Sequence, residues 1–133
     1  MALGKIKADT LEHSTAGALD TQYVVKGSAK AWAEIAAGGA SLPDSFNFSS
    51  IDDDGTGDYG LNYTSAMGST NYSATGLITF NHTSTVSNLR AAVVDSKTAS
   101  SVEIGTSYVN ADGKYVDYDI ETNANVTVHG DLA

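Results

Sequence analysis

Cysteine is absent from this sequence of 133 residues. That excludes disulfides, zinc–thiolate sites and a cysteine nucleophile, so the fold has to be held by its core or by oligomerisation. Basic residues are few: Lys5, Lys7, Lys26, Lys30, Arg90, Lys97 and Lys114 stand singly against a formal net charge of −9. A surface that tracks phosphates needs clustered Lys and Arg. Nucleic acid is therefore not an expected partner, and the acidity serves solubility and mutual repulsion. Long apolar runs are missing as well. The opening "MALGKIKADTLEHSTAG" has no continuous apolar segment of the kind a signal peptide needs, and no run elsewhere reaches membrane-spanning length. The expectation is a soluble protein made in a cytoplasm, with no membrane as partner.

The composition that remains is that of a folded chain. With 41% hydrophobic, 8% aromatic and 17% charged residues, and 13 glycines among abundant Ser, Thr and Asn, it favours a turn-rich all-β domain over disorder. The length suits one domain with a single core. Residues 1–20 carry isolated apolar positions, Leu3, Ile6, Leu11 and Leu19, without a helical or strand period. They read equally as an arm that gains structure by lying on something else or as a merely flexible terminus, with a single β domain over 21–133.

"AKAWAEIAAGG" is ambiguous. Its alanines favour a helix, with Lys30 and Glu34 paired on one face; as a strand it puts Ala29, Ala31, Ala33 and Ile35 on one side and Lys30, Trp32 and Glu34 on the other. Past Pro43 the alternation is plainer. Phe46 and Phe48 share a face before the acidic stretch "IDDDGTGDY", and Tyr59, Leu61 and Tyr63 share one after it, a hairpin pattern. Residues 71–82 and 88–95 supply further strands. Val102, Ile104, Thr106 and Tyr108 then align, the turn "NADGK" leads into "YVDYDIE", and "NVTVH" closes the series. Eight or nine short strands at this spacing predict an antiparallel β-sandwich or jelly roll with an extended N-terminal arm.

Chemistry-bearing motifs are sparse. Aligned as a calcium loop with Gly55 sixth, the acidic stretch puts Ser50 first, Asp52 third, Asp54 fifth and Leu61 twelfth, so two required carboxylates are missing and the flanks are strands. It reads as a hairpin turn; adventitious calcium on Asp52, Asp53, Asp54 and Asp58 is the rival reading. His13, His82 and His129 lie far apart without zinc-type spacing. There is no Gly-x-Ser-x-Gly elbow and no distinctive carboxylate pair, and Gly55-Thr56-Gly57 lacks the Lys and helix of a phosphate loop. No catalytic residue, metal or cofactor is expected. Five Asn-x-Ser/Thr triplets, at Asn47, Asn62, Asn71, Asn81 and Asn125, read as sheet faces with an apolar residue between two polar ones.

Three stretches carry a resemblance: "GSAKAW" at Gly27 to Trp32, "DSFNFSSIDDDGTGDY" at Asp44 to Tyr59 and "AMGSTNY" at Ala66 to Tyr72, preceded by "ADTLEHSTAG" and "VV". Together they resemble a β-rich head module of tailed-bacteriophage virion appendages, common in marine phages, in which such heads end tail fibres or head fibres and assemble as trimers. The resemblance implies a virion structural protein without enzymatic activity, made in the host bacterial cytoplasm and placed on the virion surface. It also implies a strand at "SAKAW" and a hairpin turn at the acidic loop. "AEIAAGGASLP" departs from the usual polar link, and the chain has only the short arm where a fibre has a long shaft. A head so short-armed suits direct seating on a capsid or collar, as a decoration protein whose partners are its own trimer mates and the major capsid protein. The alternative is a short tail fibre or receptor-binding tip whose exposed aromatics, drawn from Trp32, Tyr59, Tyr63 and Tyr72, stack on host surface glycans; those side chains are equally suited to the core. A carbohydrate-active enzyme or cellular lectin has only the β fold in its favour.

Overall fold

The computed structural model describes residue 4, residues 7–79 and residues 90–133. Along the chain the elements are β1 (Thr10–His13), β2 (Gly17–Asp20), α1 (Thr21–Gly27), β3 (Ala31–Ala36), β4 (Asp44–Phe46), β5 (Phe48–Gly55), β6 (Asp58–Tyr63), β7 (Ser73–Thr79), β8 (Arg90–Lys97), β9 (Ser101–Val109), β10 (Tyr115–Asp117) and β11 (Asn123–His129). Strands β3 to β11 form an antiparallel β-sandwich. One sheet has the order β4-β3-β11-β7. In the other, β9 is flanked by β8 on one side and by β6 and then β10 on the other, with β5 outside β6.

The two inner faces differ in side-chain size, which lets them close. The four-stranded sheet contributes Ala31, Ala33, Ala124, Ile35, Val126 and Val128, while the other brings Phe48, Tyr59, Leu61, Tyr63, Val102 and Ile104. Small residues opposite large ones interdigitate at the roughly 10 Å separation of packed sheets. The sheets come close at Gly76 of β7, where a Cβ would lie 3.2 Å from the Cβ of Ala92.

Residues 31–36 are a strand, against helix propensity; of the strand that the resemblance implied at "SAKAW", Ala31 and Trp32 lie in it and residues 28–30 do not. Burial decides it. Ala31, Ala33 and Ile35 are buried and alternate with the outward Trp32 and Glu34, a period-two pattern that a helix cannot satisfy. Helix does appear earlier, as the short α1, and a 3-10 turn at Ala37–Gly39 follows the strand. The first sandwich strand starts at Ala31, so the segment outside the sandwich continues beyond Asp20 through α1. Within it, Gly17 closes a three-residue turn between β1 and β2 at φ 90°, a conformation glycine adopts without penalty. Thr21 ties α1 back to the start of the hairpin through N–H to Asp9 carbonyl (2.8 Å) and Oγ1 to Ala8 carbonyl (2.7 Å).

Phe46 and Phe48 do not share a face. Asn47 between them has φ 60°, which turns the chain over as it leaves one sheet for the other. Phe46 is exposed opposite Trp32, while Phe48 is buried and stacks on Tyr63 with ring centroids 5.0 Å apart.

Candidate interaction surfaces

The acidic stretch folds as the β5–β6 hairpin. Gly55 pairs with Asp58 across the turn, and the Gly55 N–H donates to Asp53 Oδ1 at 3.2 Å. The tip is tucked inward. Gly57 N–H donates to Asp119 Oδ1 (2.8 Å), and a Cβ on Gly57 would meet the Thr106 carbonyl oxygen at 2.4 Å. Tyr59 completes this latch: its hydroxyl donates to Asp119 Oδ1 and accepts from Ile120 N–H, both at 3.2 Å. Burial, together with the charge of Asp119, holds the Tyr59 phenol above its ordinary range.

Carboxylates gather on the outer face of this sheet. Asp52 lies opposite Gly60, which lies opposite Glu103, and a Cβ on Gly60 would be 3.1 Å from Glu103 Oε2 and 3.2 Å from Asp54 Oδ2. Burial first, then the charges of Asp54, Asp58, Asp52 and Asp95, raise the Glu103 carboxyl above the usual carboxylate range. Asp52 itself accepts a hydrogen bond from Asn62 Nδ2 at 2.7 Å. Among the described residues no group of three His, Asp or Glu side chains is arranged to hold a metal ion. His82 lies outside the described residues, and His129 is exposed with Nδ1 3.1 Å from the Gly27 carbonyl.

Of the four aromatics considered for surface contact, only Trp32 reaches solvent. Tyr59, Tyr63 and Tyr72 are core residues, which removes them from any contact surface. The Tyr72 hydroxyl donates to the Ser101 carbonyl at 2.8 Å, and its ring meets that of Tyr63 edge-on at 5.8 Å. Trp32 instead sits on the outer face of the four-stranded sheet, 38% exposed, directly opposite Phe46 at 51%. Thr127 lies on the other side of Trp32, and Asn125 is opposite both Glu34 and Leu77. Sequence reasoning missed Phe46. The available signal was the Asn at 47, a residue type that tolerates the left-handed conformation.

The third surface is the N-terminal segment. Leu3 and Ile6 lie outside the described residues. Leu11 and Leu19 pair directly across the β1–β2 hairpin and are 50% and 47% exposed. Helix α1 adds the exposed Tyr23, Val24 and Val25 and buries none of its residues. A groove lined by Lys7, Ala8, Leu11, Thr21, Val24 and Val25 runs between hairpin and helix. Of the Asn-x-Ser/Thr triplets read as sheet faces, only Asn125-Val126-Thr127 lies wholly within a strand among the described residues, although Phe48, Tyr63, Tyr72 and Val126 at the triplet centres are all buried; Asn81 lies outside the described residues.

Among the described residues no helix is long and apolar enough to cross a membrane. No protein-family model matches the chain, and neither a curated protein nor a solved structure is similar to it.

Proposed function

We propose that the chain is a structural protein of a tailed-bacteriophage virion, a capsid-surface decoration protein that assembles as a trimer and is fastened by its N-terminal segment. The observation that carries this reading is that residues 7–28 fold into a hairpin and a helix without burying one described side chain. An isolated hairpin is marginal in water, and a seven-residue helix is too short to persist alone. Such a segment is suited to completing its packing on another surface. The resemblance of "DSFNFSSIDDDGTGDY" and its flanking motifs to virion head modules supports a virion as the setting. The mechanism is cement by area: each segment buries modest apolar surface, and three joined subunits bind together at high effective concentration. Deleting residues 2–20 is expected to abolish binding to purified particles and leave the sandwich folded; undiminished binding overturns the role of the segment. Immunogold labelling over phage heads is the expected microscopy.

A second reading, a receptor-binding tip, is favoured by one observation, the exposed Trp32–Phe46 pair beside Thr127 on an open sheet face. Gold confined to tails, with glycan-array binding lost in Trp32→Ala, is the outcome that selects it.

A further inference from the structure

We propose that the hairpin–helix segment, residues 7–28, is a self-association surface whose partner is the same segment of a second copy of this chain. The inference deepens the decoration reading and rests on it for the view that this segment is an attachment element.

Charge is the first reason. Lys5, Lys7 and Lys26 balance Asp9, Glu12 and Asp20, so residues 1–28 are formally neutral and the entire net charge of −9 sits on residues 29–133. Two sandwiches brought face to face repel. Two N-terminal segments do not, which makes this the part of the molecule through which copies approach without an electrostatic penalty.

Shape and area give the second reason. Leu11 and Leu19 form one cross-strand pair, and the groove of about 280 Å³ beside Leu11, Val24 and Val25 offers an apolar slot for a side chain from a neighbouring copy. Exposed Leu11, Leu19, Tyr23, Val24 and Val25 supply the apolar anchors of such a contact. Backbone valence is the third. β1 and β2 form a two-stranded sheet among the described residues, so each offers an outer edge for strand addition. Packing against a second copy covers the leucines and valines and extends the ladder at once.

Sedimentation equilibrium of the full chain over a wide concentration range tests this, with near-UV circular dichroism to confirm that the buried tyrosines keep their environment. The parent protein is expected to be oligomeric. Leu19→Asp and, separately, Val25→Asp are each expected to weaken association at least tenfold with the dichroism unchanged, while Leu77→Asp on the sandwich face leaves it intact. A monomeric parent, arm variants that stay fully associated, or dissociation caused only by Leu77→Asp each overturn the proposal. The two readings fail separately. An oligomer that labels phage heads and withstands both arm variants defeats this inference and leaves the trimeric decoration reading standing; an oligomer dispersed by the arm variants that labels no particle does the reverse.

Discussion

Asn47 shows how much one residue can decide. Its φ of 60° flips the chain between the two sheets, and its side chain clasps Ser65 from both ends, Oδ1 accepting from the Ser65 N–H at 2.7 Å and Nδ2 donating to the Ser65 carbonyl at 3.0 Å. Alanine there loses both bonds and strains the left-handed backbone, an expected cost of about 2 to 3 kcal/mol. Glycine loses only the bonds and is expected to cost about 1 kcal/mol. Urea unfolding of Asn47→Ala and Asn47→Gly measures the difference, and equal losses would show that the backbone conformation contributes nothing. Glu103 acts through pH. Because its carboxyl is raised in the folded state, the protonated form is favoured there, and stability is lost as pH rises from the ordinary glutamate value of about 4.3 through the raised one. Glu103→Gln escapes that loss. The variant is expected to melt above the parent at pH 7, with the gap closing below about pH 4; thermal melts at both pH values check it.

Among the elements, the β8–β9 connection is pinned from outside its own hairpin. The Tyr72 hydroxyl donates to the carbonyls of Thr98 and Ser101, and Lys97 Nζ donates back to the Tyr72 carbonyl at 2.8 Å. Tyr72→Phe keeps the ring packing and is expected to cost about 1 kcal/mol, with hydrogen exchange accelerated at Thr98 and Ser101; unchanged exchange would show that the turn holds itself. Most strands were legible in sequence because alternation is itself the consequence of one buried face. Val102, Ile104 and Thr106 read correctly for this reason and are buried together. Two elements were not. Local helix preference in "AKAWAEIAAGG" yields to a sheet position that buries Ala31, Ala33 and Ile35, information held by distant β4 and β11. The α1 helix carries no amphipathic signal because it has no buried face to encode.

At the scale of the whole molecule, composition announced a sandwich held without disulfides, yet the surfaces that matter were only partly visible. Alternation says that a side chain faces outward; it does not say which outward residues of different strands become neighbours. Trp32 and Phe46 are 14 positions apart in the chain and meet only because β3 pairs with β4. The separation of a neutral N-terminal segment from a sandwich carrying the whole −9 has a measurable result. From about 0.1 M to 1 M salt the screening length falls from about 10 Å to about 3 Å, so repulsion between sandwiches fades and self-association is expected to tighten. Sedimentation at the two salt concentrations reads this directly; weaker association at high salt would mean that ion pairs, and not apolar contact, join the copies.

Trp32 is the single tryptophan of the chain, and it stands on the outer face of the four-stranded sheet. Excited at a wavelength that the seven tyrosines do not absorb, its fluorescence is a local signal, emitted from one surface and from none of the core. Iodide quenching of the isolated protein measures how open that sheet is. Repeated across the concentration range of the proposed self-association, it tells whether joining two copies leaves the Trp32 face turned toward the medium or covers it, with no label and no substitution.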